Sequence, residues 1–361
     1  TERPVNATPG TINVIDLTEP DGVTLDQFVR GETLVSVPFA FSGAGVAYQR
    51  GGAQSINIRG VEGNRVLLQV DGVRVPDEFA LGGSEPTGRD YFDPELFKRV
   101  EILQGSASAL YGSDALGGVV TFTTKSPADY LNGKRIYAGA KAAYRSVDDG
   151  TSLSATFAAA HGPLQALVVY SHHEGHEREN NGIVRPNPED YSSDAVLTKL
   201  VWLPSAPHRF ELTLENFDRD LTAQVNNKEI MSGATTTTGL DLDSTTQRFR
   251  LGAAYLFDGN APLFDQLEVR AYLQDANTHD VAYERFAYNP PSAANGAFRH
   301  RDITTEFHND TTGFSVAAVK SLGAAHRLAY GIEGSRTETS KPWHSVVTNS
   351  FGTTRPTEPR M

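Results

Sequence analysis

The stretch Val100–Lys125, VEILQGSASALYGSDALGGVVTFTTK, decides how this chain folds. A β-branched run to Leu103 breaks at Gly105, and the small residues around Leu110 and Tyr111 predict a short helix. A turn at Gly117 and Gly118 then leads into a second β run, Val119–Thr124. Gly105, Gly112, Gly117 and Gly118 are expected to supply tight turns and close backbone approach. No Gly-Lys-Ser/Thr follows them, so they do not read as a phosphate cradle. The flanking sequence has the same mixed grammar. Ile12–Leu17, Ser55–Arg59 and Arg65–Val70 read as strands, and Asp71-Gly72 before Val73 is a tight hairpin signal. Thr24-Leu-Asp-Gln27 matches a capping box opening a helix to Arg30. Asp93-Pro94-Glu95 offers an N-cap, a Pro at N1 and a first-turn acid, predicting a short helix to Arg99. Residues 1–126 therefore read as a compact α+β domain.

From Lys134 the period changes to two. Ile136, Ala138, Ala140, Ala142 and Tyr144 share one face, with Arg135, Tyr137, Lys141 and Arg145 on the other. Phe210, Leu212 and Leu214 alternate with Arg209, Glu211, Thr213 and Glu215. Phe249, Leu251, Ala253, Tyr255 and Phe257 oppose Arg248 and Arg250. Leu267, Val269, Ala271 and Leu273 oppose Glu268 and Arg270. An apolar face against a charged one, held over about ten residues, is the pattern of a transmembrane β-barrel with a polar lumen. About nine such strands are expected before Pro342. Short links near Gly162-Pro163, Pro204–Pro207, Asp258–Pro262 and Gly323 alternate with long ones near 175–191, 222–242 and 286–298, as periplasmic turns alternate with extracellular loops. Trp202 and Tyr255 read as aromatic girdle residues. A soluble β-sandwich is the alternative that also alternates.

Composition narrows the function classes. A net charge of −12 in 361 residues argues against a nucleic-acid partner. There is no cysteine, hence no thiol metal site or disulfide framework. No apolar run of about 18 residues predicts a membrane helix, and a low mean hydropathy does not exclude barrel strands, whose alternation dilutes their hydrophobicity. No Gly-x-Ser-x-Gly elbow or His-Glu-x-x-His helix is present, so an enzyme is not expected. A domain of about 125 residues has a radius of gyration near 14 Å, too large for a barrel of about nine strands to enclose. The expectation is that residues 134–361 are the N-terminal portion of a larger plugged barrel, the chain being part of a longer receptor.

Several motifs carry a family resemblance. Ser55-Ile-Asn-Ile-Arg-Gly60, Glu62-Gly-Asn-Arg-Val-Leu-Leu-Gln-Val-Asp-Gly-Val-Arg74, Asp90-Tyr-Phe-Asp-Pro94, Lys98-Arg-Val-Glu-Ile-Leu-Gln-Gly105 and Ser108–Gly118 together resemble the plug of TonB-dependent outer-membrane receptors, most closely the haem and haemoglobin receptor branch. The resemblance implies an α+β plug followed by antiparallel barrel strands in the bacterial outer membrane, amid lipid and lipopolysaccharide. It implies energised import of haem, free or from haem-proteins, driven by TonB. A ferric-siderophore receptor is the near alternative, and a passive adhesin or lectin-like β protein the alternative of another class. Two departures stand out: the TonB box expected just upstream of the plug is not visible before Thr1, and no histidine precedes His161 to serve as a plug haem ligand.

Three sets of residues become candidates on this reading. Arg59, Arg74, Arg99 and Glu101 on the plug, facing Glu211, Glu215, Glu268 and Glu333 in the lumen, form an expected ionic latch; ordinary intra-plug pairing is the competing reading. Charge reversal at Arg59 would then stop uptake without affecting ligand capture. Phe39, Phe41, Tyr48, Gln49, Arg50, Phe79 and Arg89 lie in irregular segments expected at the plug apex, where aromatics and Arg could grip a flat anionic ligand, or simply pack against the wall. His172 and His176, with Glu174 on the same side, could hold haem or a metal weakly; a solvated strand end is the other reading.

Overall fold

The computed structural model describes residues 11–17, 32–37, 39–40, 52–53, 56–77, 89, 91–105, 115–179, 182–183, 186–226, 231–232, 235–288, 297–323, 326–350 and 355–357. The predicted helices at Thr24–Arg30 and around Leu110, together with Gly112, lie outside these residues. So do Phe41, Tyr48, Gln49, Arg50, Phe79 and the side chain of Phe39.

The first part contains β1 (Thr11–Asp16), β2 (Val35–Ser36), β3 (Phe39–Ala40), β4 (Gly52–Ala53), β5 (Asn57–Ile58), β6 (Val66–Val70), β7 (Val73–Arg74), β8 (Phe97–Gln104) and β9 (Gly118–Thr124). Five of them form one sheet in the order β1-β8-β9-β6-β7, while β2 pairs β5 and β3 pairs β4. Both β runs of the Val100–Lys125 stretch are central strands, β8 antiparallel to β9 and β9 parallel to β6. Their return is as tight as the glycines suggest. A Cβ on Gly118 would lie 2.4 Å from the Leu103 carbonyl oxygen, and one on Gly117 2.7 Å from Val61 Cγ1. The hairpin at Asp71-Gly72 has φ of +48° and +80°, the left-handed pair that matches strand twist.

Two expectations here need correction. The helix expected from Asp93 to Arg99 is a single 3-10 turn, Pro94–Leu96, capped by the Asp93 carboxylate 2.7 Å from the Glu95 amide. Strand β8 begins at once, because Phe97, Val100 and Ile102 are needed in the core, where each is fully buried. The Ser55–Arg59 strand shortens to two residues, with Arg59 itself left-handed at φ +53°. A helix not anticipated, α1 (Pro127–Leu131), closes this part, with Asp129 accepting from the Ser126 amide at 2.7 Å.

The second part is β10 (Ile136–Arg145), β11 (Gly150–His161), β12 (Leu164–His176), β13 (Glu189–Ser205), β14 (His208–Gln224), β15 (Met231–Ser232), β16 (Thr235–Asp258), β17 (Gln266–Tyr288), β18 (Phe298–Leu322), β19 (His326–Ser340), β20 (Trp343–Asn349) and β21 (Arg355–Thr357). Nine long strands, β10–β14 and β16–β19, pair antiparallel in chain order, and β20 continues beyond β19 along the same edge of β18. The apolar face of each strand points outward. Trp202, Phe210 and Tyr255 stack along the short-turn edge, with centroids 5.1 and 4.8 Å apart. Eight residues further along β13, β14 and β16 the outward row Asp194–Asp218–Gln247–Asn277–His308 is wholly polar. That interval is about 26 Å along a strand, the height of a bilayer's apolar band.

Strands β16, β17 and β18 have 24, 23 and 25 residues. They run on into segments expected to be long loops. Above the polar row the alternation inverts: Asp218, Asp220 and Asp243 face out, while Leu221, Ala223, Leu240, Leu242, Ala282 and Ile303 are buried on the inner face. Water outside and an apolar cluster inside reverse the rule that holds within lipid, so the barrel pattern fades there while the strands continue.

Candidate functional site at the interface of plug and wall

The plug and the inner face of the wall share one core. Ala158, Leu167, Val169, Ala195, Leu197, Phe217, Ala276 and Phe307 of the wall join the same buried cluster as Tyr91, Phe97, Val100 and Phe122. Polar contacts are threaded through this cluster from one end of the wall to the other. Glu95 lies 2.9 Å from Lys125 and 3.0 Å from Lys141 of β10. Asp93 accepts from Ser171 Oγ at 2.5 Å, with His173 Nε2 at 2.8 Å, both on β12. Lys199 of β13 donates to Thr124 Oγ1 at 2.6 Å, and Arg209 of β14 to Ser126 Oγ at 3.1 Å. The Tyr91 hydroxyl meets Thr278 of β17 at 3.1 Å, and Gln274 of β17 donates to the Arg74 carbonyl at 3.1 Å. A small body that touches β10 and β17 at once must lie in the concavity of a curved wall.

The densest part is on β16. Arg250 donates to the Val70 carbonyl at 2.8 Å and lies 3.1 Å from Asp71 Oδ2. Arg248 donates to the Tyr91 carbonyl at 3.1 Å. Glu215 binds both arginines, one oxygen on Arg248 and the other 2.7 Å from Arg250. All three wall side chains are at most 3% exposed. Asp71 also accepts from the Thr124 amide at 3.0 Å and hydroxyl at 2.7 Å.

This arrangement inverts the expected polarity. The plug supplies acids, Asp71, Asp93 and Glu95, and the wall supplies cations. Of the lumenal acids named from sequence, Glu215, Glu211 and Glu268 hold the wall's own Arg248 and Arg250, Arg209 and Arg270 respectively. Glu333 is exposed. Arg99 pairs with Glu101 within the plug at 3.0 Å. Arg74 meets the wall through its carbonyl, and Arg59 is exposed with no ion pair to another described residue. The missed acids had a visible signal. Asp71 and Asp93 read convincingly as turn and cap residues, and each also uses a carboxylate oxygen across the interface.

Two further candidates are relocated. Arg89 is 2% exposed, donating to the carbonyls of Pro76, Gly63 and Val66 at 3.3, 2.9 and 2.8 Å. It ties plug segments together. His172 and His176 face outward, 3.0 Å from Asp194 and 2.6 Å from Asp190. Only their neighbour His173 faces the plug. Among the described residues no group of three His, Cys, Asp or Glu is placed to hold a metal.

Burial by itself would raise the pKa of Asp71. The charges of Lys199, Arg250 and Arg270 and the Thr124 hydrogen bond outweigh it and hold the carboxyl well below the ordinary range. Asp93 is lowered the same way, against burial, by His173, Ser171 and the Glu95 amide. A carboxyl whose folded pKa is depressed stabilises the fold above its unfolded value and loses that contribution as pH falls. The urea midpoint for plug unfolding is therefore expected to drop between about pH 5 and about pH 3. A midpoint that stays level or rises over that interval would show that these carboxylates are not held as ions.

The family profile described as TonB-dependent Receptor Plug Domain matches residues 4–119. This part of the chain matches the plug of the TonB-dependent receptors. Hemoglobin-binding protein A of Haemophilus influenzae is 26% identical over 329 residues, covering 80% of this chain and 32% of the relative. Transferrin-binding protein A of Neisseria meningitidis serogroup B is 37% identical over 137 residues, 36% of this chain and 15% of that protein. The chain thus spans about a third or less of the length of these relatives. The FrpB iron transporter from Neisseria meningitidis superposes with a TM-score of 0.61 over 94% of this chain and 62% of that one, at 15% identity, which is a likeness of fold. Plug and antiparallel wall strands are the architecture these receptors share.

Proposed function

We propose that this chain is the plug, residues 1–126, and the first wall strands, within 134–361, of an energised importer in the bacterial outer membrane. It takes up an iron source, with haem, free or delivered by a haem-protein, as the first candidate cargo and TonB as the coupling partner. The observation that carries this reading is the set of ion contacts set into the core that plug and lumen share: Asp71, Asp93 and Glu95 meet Arg250, His173 and Lys141 across that boundary. Ions that separate into water regain hydration, which offsets part of the cost of parting that boundary and lets the contacts re-form. The ion pairs act as the latch in this reading.

Haem is favoured by the relatives' names, haemoglobin and haemoglobin-haptoglobin binding among them. The height of the wall adds a physical argument. Strands of 23 to 25 residues rise well beyond the about 30 Å of hydrocarbon, giving a tall rim for a protein-sized donor. Cells carrying the whole receptor should bind haemoglobin at the surface with or without a proton gradient, and import its haem only with one. Import that survives a protonophore, or a haemoglobin surface signal no higher than in receptor-free cells, would refute the proposal.

A further inference from the structure

Three plug acids meet the wall, and their counter-ions differ in kind. Asp71 feels the charges of Lys199, Arg250 and Arg270, and Glu95 lies between Lys125 and Lys141. Lysine and arginine stay charged to about pH 10 or beyond. Asp93 is held differently. The charge that acts on it is His173, and its other partners, the Ser171 hydroxyl and the Glu95 amide, are neutral dipoles. Histidine changes its charge near neutrality. Of these three contacts, the one at Asp93 can therefore lose its cation at a pH that a cell surface meets.

The surroundings of His173 suit a titrating group. It stands on β12 one residue past His172, whose cross-strand partner Asp194 opens the outward polar row, and so on the extracellular side of the apolar band. Its side chain is 21% exposed, within reach of protons, while that of Asp93 is 2% exposed. Ser152 of β11 and Ser193 of β13, directly across from it, are neutral. The charged groups that reach it are Asp93 and Glu95 of the plug and Arg145 of β10. Burial and Arg145 would lower its pKa; the charge and hydrogen bond of Asp93, with the charge of Glu95, outweigh them and raise it. A group raised in this way stabilises the fold in full below its unfolded pKa, and the contribution is lost as pH rises through the folded value. The Asp93 carboxylate then stays buried with dipoles alone, which is costly.

We infer that His173 makes the Asp93-Pro94-Glu95 turn a proton-dependent clasp, which grips the plug tightly in acid and loosens it as the medium turns alkaline. Glu95 keeps its hold on Lys141 of β10 throughout, so the turn slackens at β12 without leaving its seat. A slacker clasp eases movement of the plug, a consequence that rests on the importer reading above.

Hydrogen exchange of the detergent-solubilised whole receptor reads the clasp directly. Protection of residues 91–105, corrected for intrinsic exchange, should fall at least about threefold in the wild type between about pH 6 and about pH 8.5. His173→Gln keeps an N–H donor for Asp93 without the titration, and Asp93→Asn keeps an acceptor for the Glu95 amide without the charge. Both should lose the dependence. Comparison with them also removes other groups that titrate in this interval, such as Glu189, whose carboxyl burial pushes up to about 7. His172→Gln, on the outward face, should behave as the wild type does. A fall of wild-type size in either folded variant, or no fall in the wild type, overturns the clasp. The exchange needs no transport, so its outcome is independent of the protonophore test that decides the importer reading.

Discussion

Glu215→Gln is expected to lower the stability of the plugged receptor by about 3–5 kcal/mol, the cost of leaving buried charge uncompensated. The substitution keeps the side chain's shape and removes the one anion shared by Arg248 and Arg250. Those guanidiniums are 1% and 3% exposed, and their remaining partners are Asp71 and the carbonyls of Tyr91 and Val70. Urea unfolding of the detergent-solubilised receptor measures the loss, and protease cleavage within the plug should appear at lower denaturant. Glu333→Gln is the control: Glu333 is exposed, and its loss should change stability by no more than about 0.5 kcal/mol. Equal midpoints for the two variants would mean that the β16 cluster is not an organising contact.

Asp71→Lys should have the larger effect on function. It replaces the plug's central acid with a fourth cation beside Arg250, Arg270 and Lys199, whose charges all act on this position. Hydrogen bonds to the Thr124 amide and hydroxyl are lost as well. A penalty of about 4 kcal/mol or more is expected, enough to displace the plug from the wall. Intact cells should then admit large antibiotics that the closed receptor excludes. Pairing it with Arg250→Glu should restore part of the barrier, because the two charges meet again with signs exchanged, and the double-mutant cycle isolates their coupling. Wild-type exclusion in Asp71→Lys, or no rescue in the pair, would show that this contact does not hold the plug. Charge reversal at exposed Arg59 should now leave both uptake and exclusion unchanged.

How much of this was legible in advance follows from what period and turn chemistry encode. Period two, with the spacing of the links, gave about nine strands, because lipid selects Ile136, Leu153, Phe157 and Trp202 outward while the lumen selects Lys141, Glu215 and Arg250. The Asp71-Gly72 hairpin was legible because few residue pairs accept its backbone angles. Strand ends were less visible: above the membrane Leu221, Leu240 and Leu242 turn inward, the polar and apolar faces exchange, and the segments resemble loops. The ionic contacts of plug and wall were half legible. Local pattern placed Glu215 in the lumen but could not say which ions would gather there, since the Arg250 it binds also meets Asp71, 179 residues away in the chain.

By itself, then, the sequence determined a plug of mixed elements and a wall of alternating strands, since each depends on neighbours within a few residues. Tertiary structure alone decided that the plug offers acids to the wall's bases, that Arg89 is a buried brace, and that His172 and His176 face away from the lumen. The physical reason is that an ion's partner is set by where two distant backbones bring charge out of water, and neither strand period nor turn propensity carries that distance.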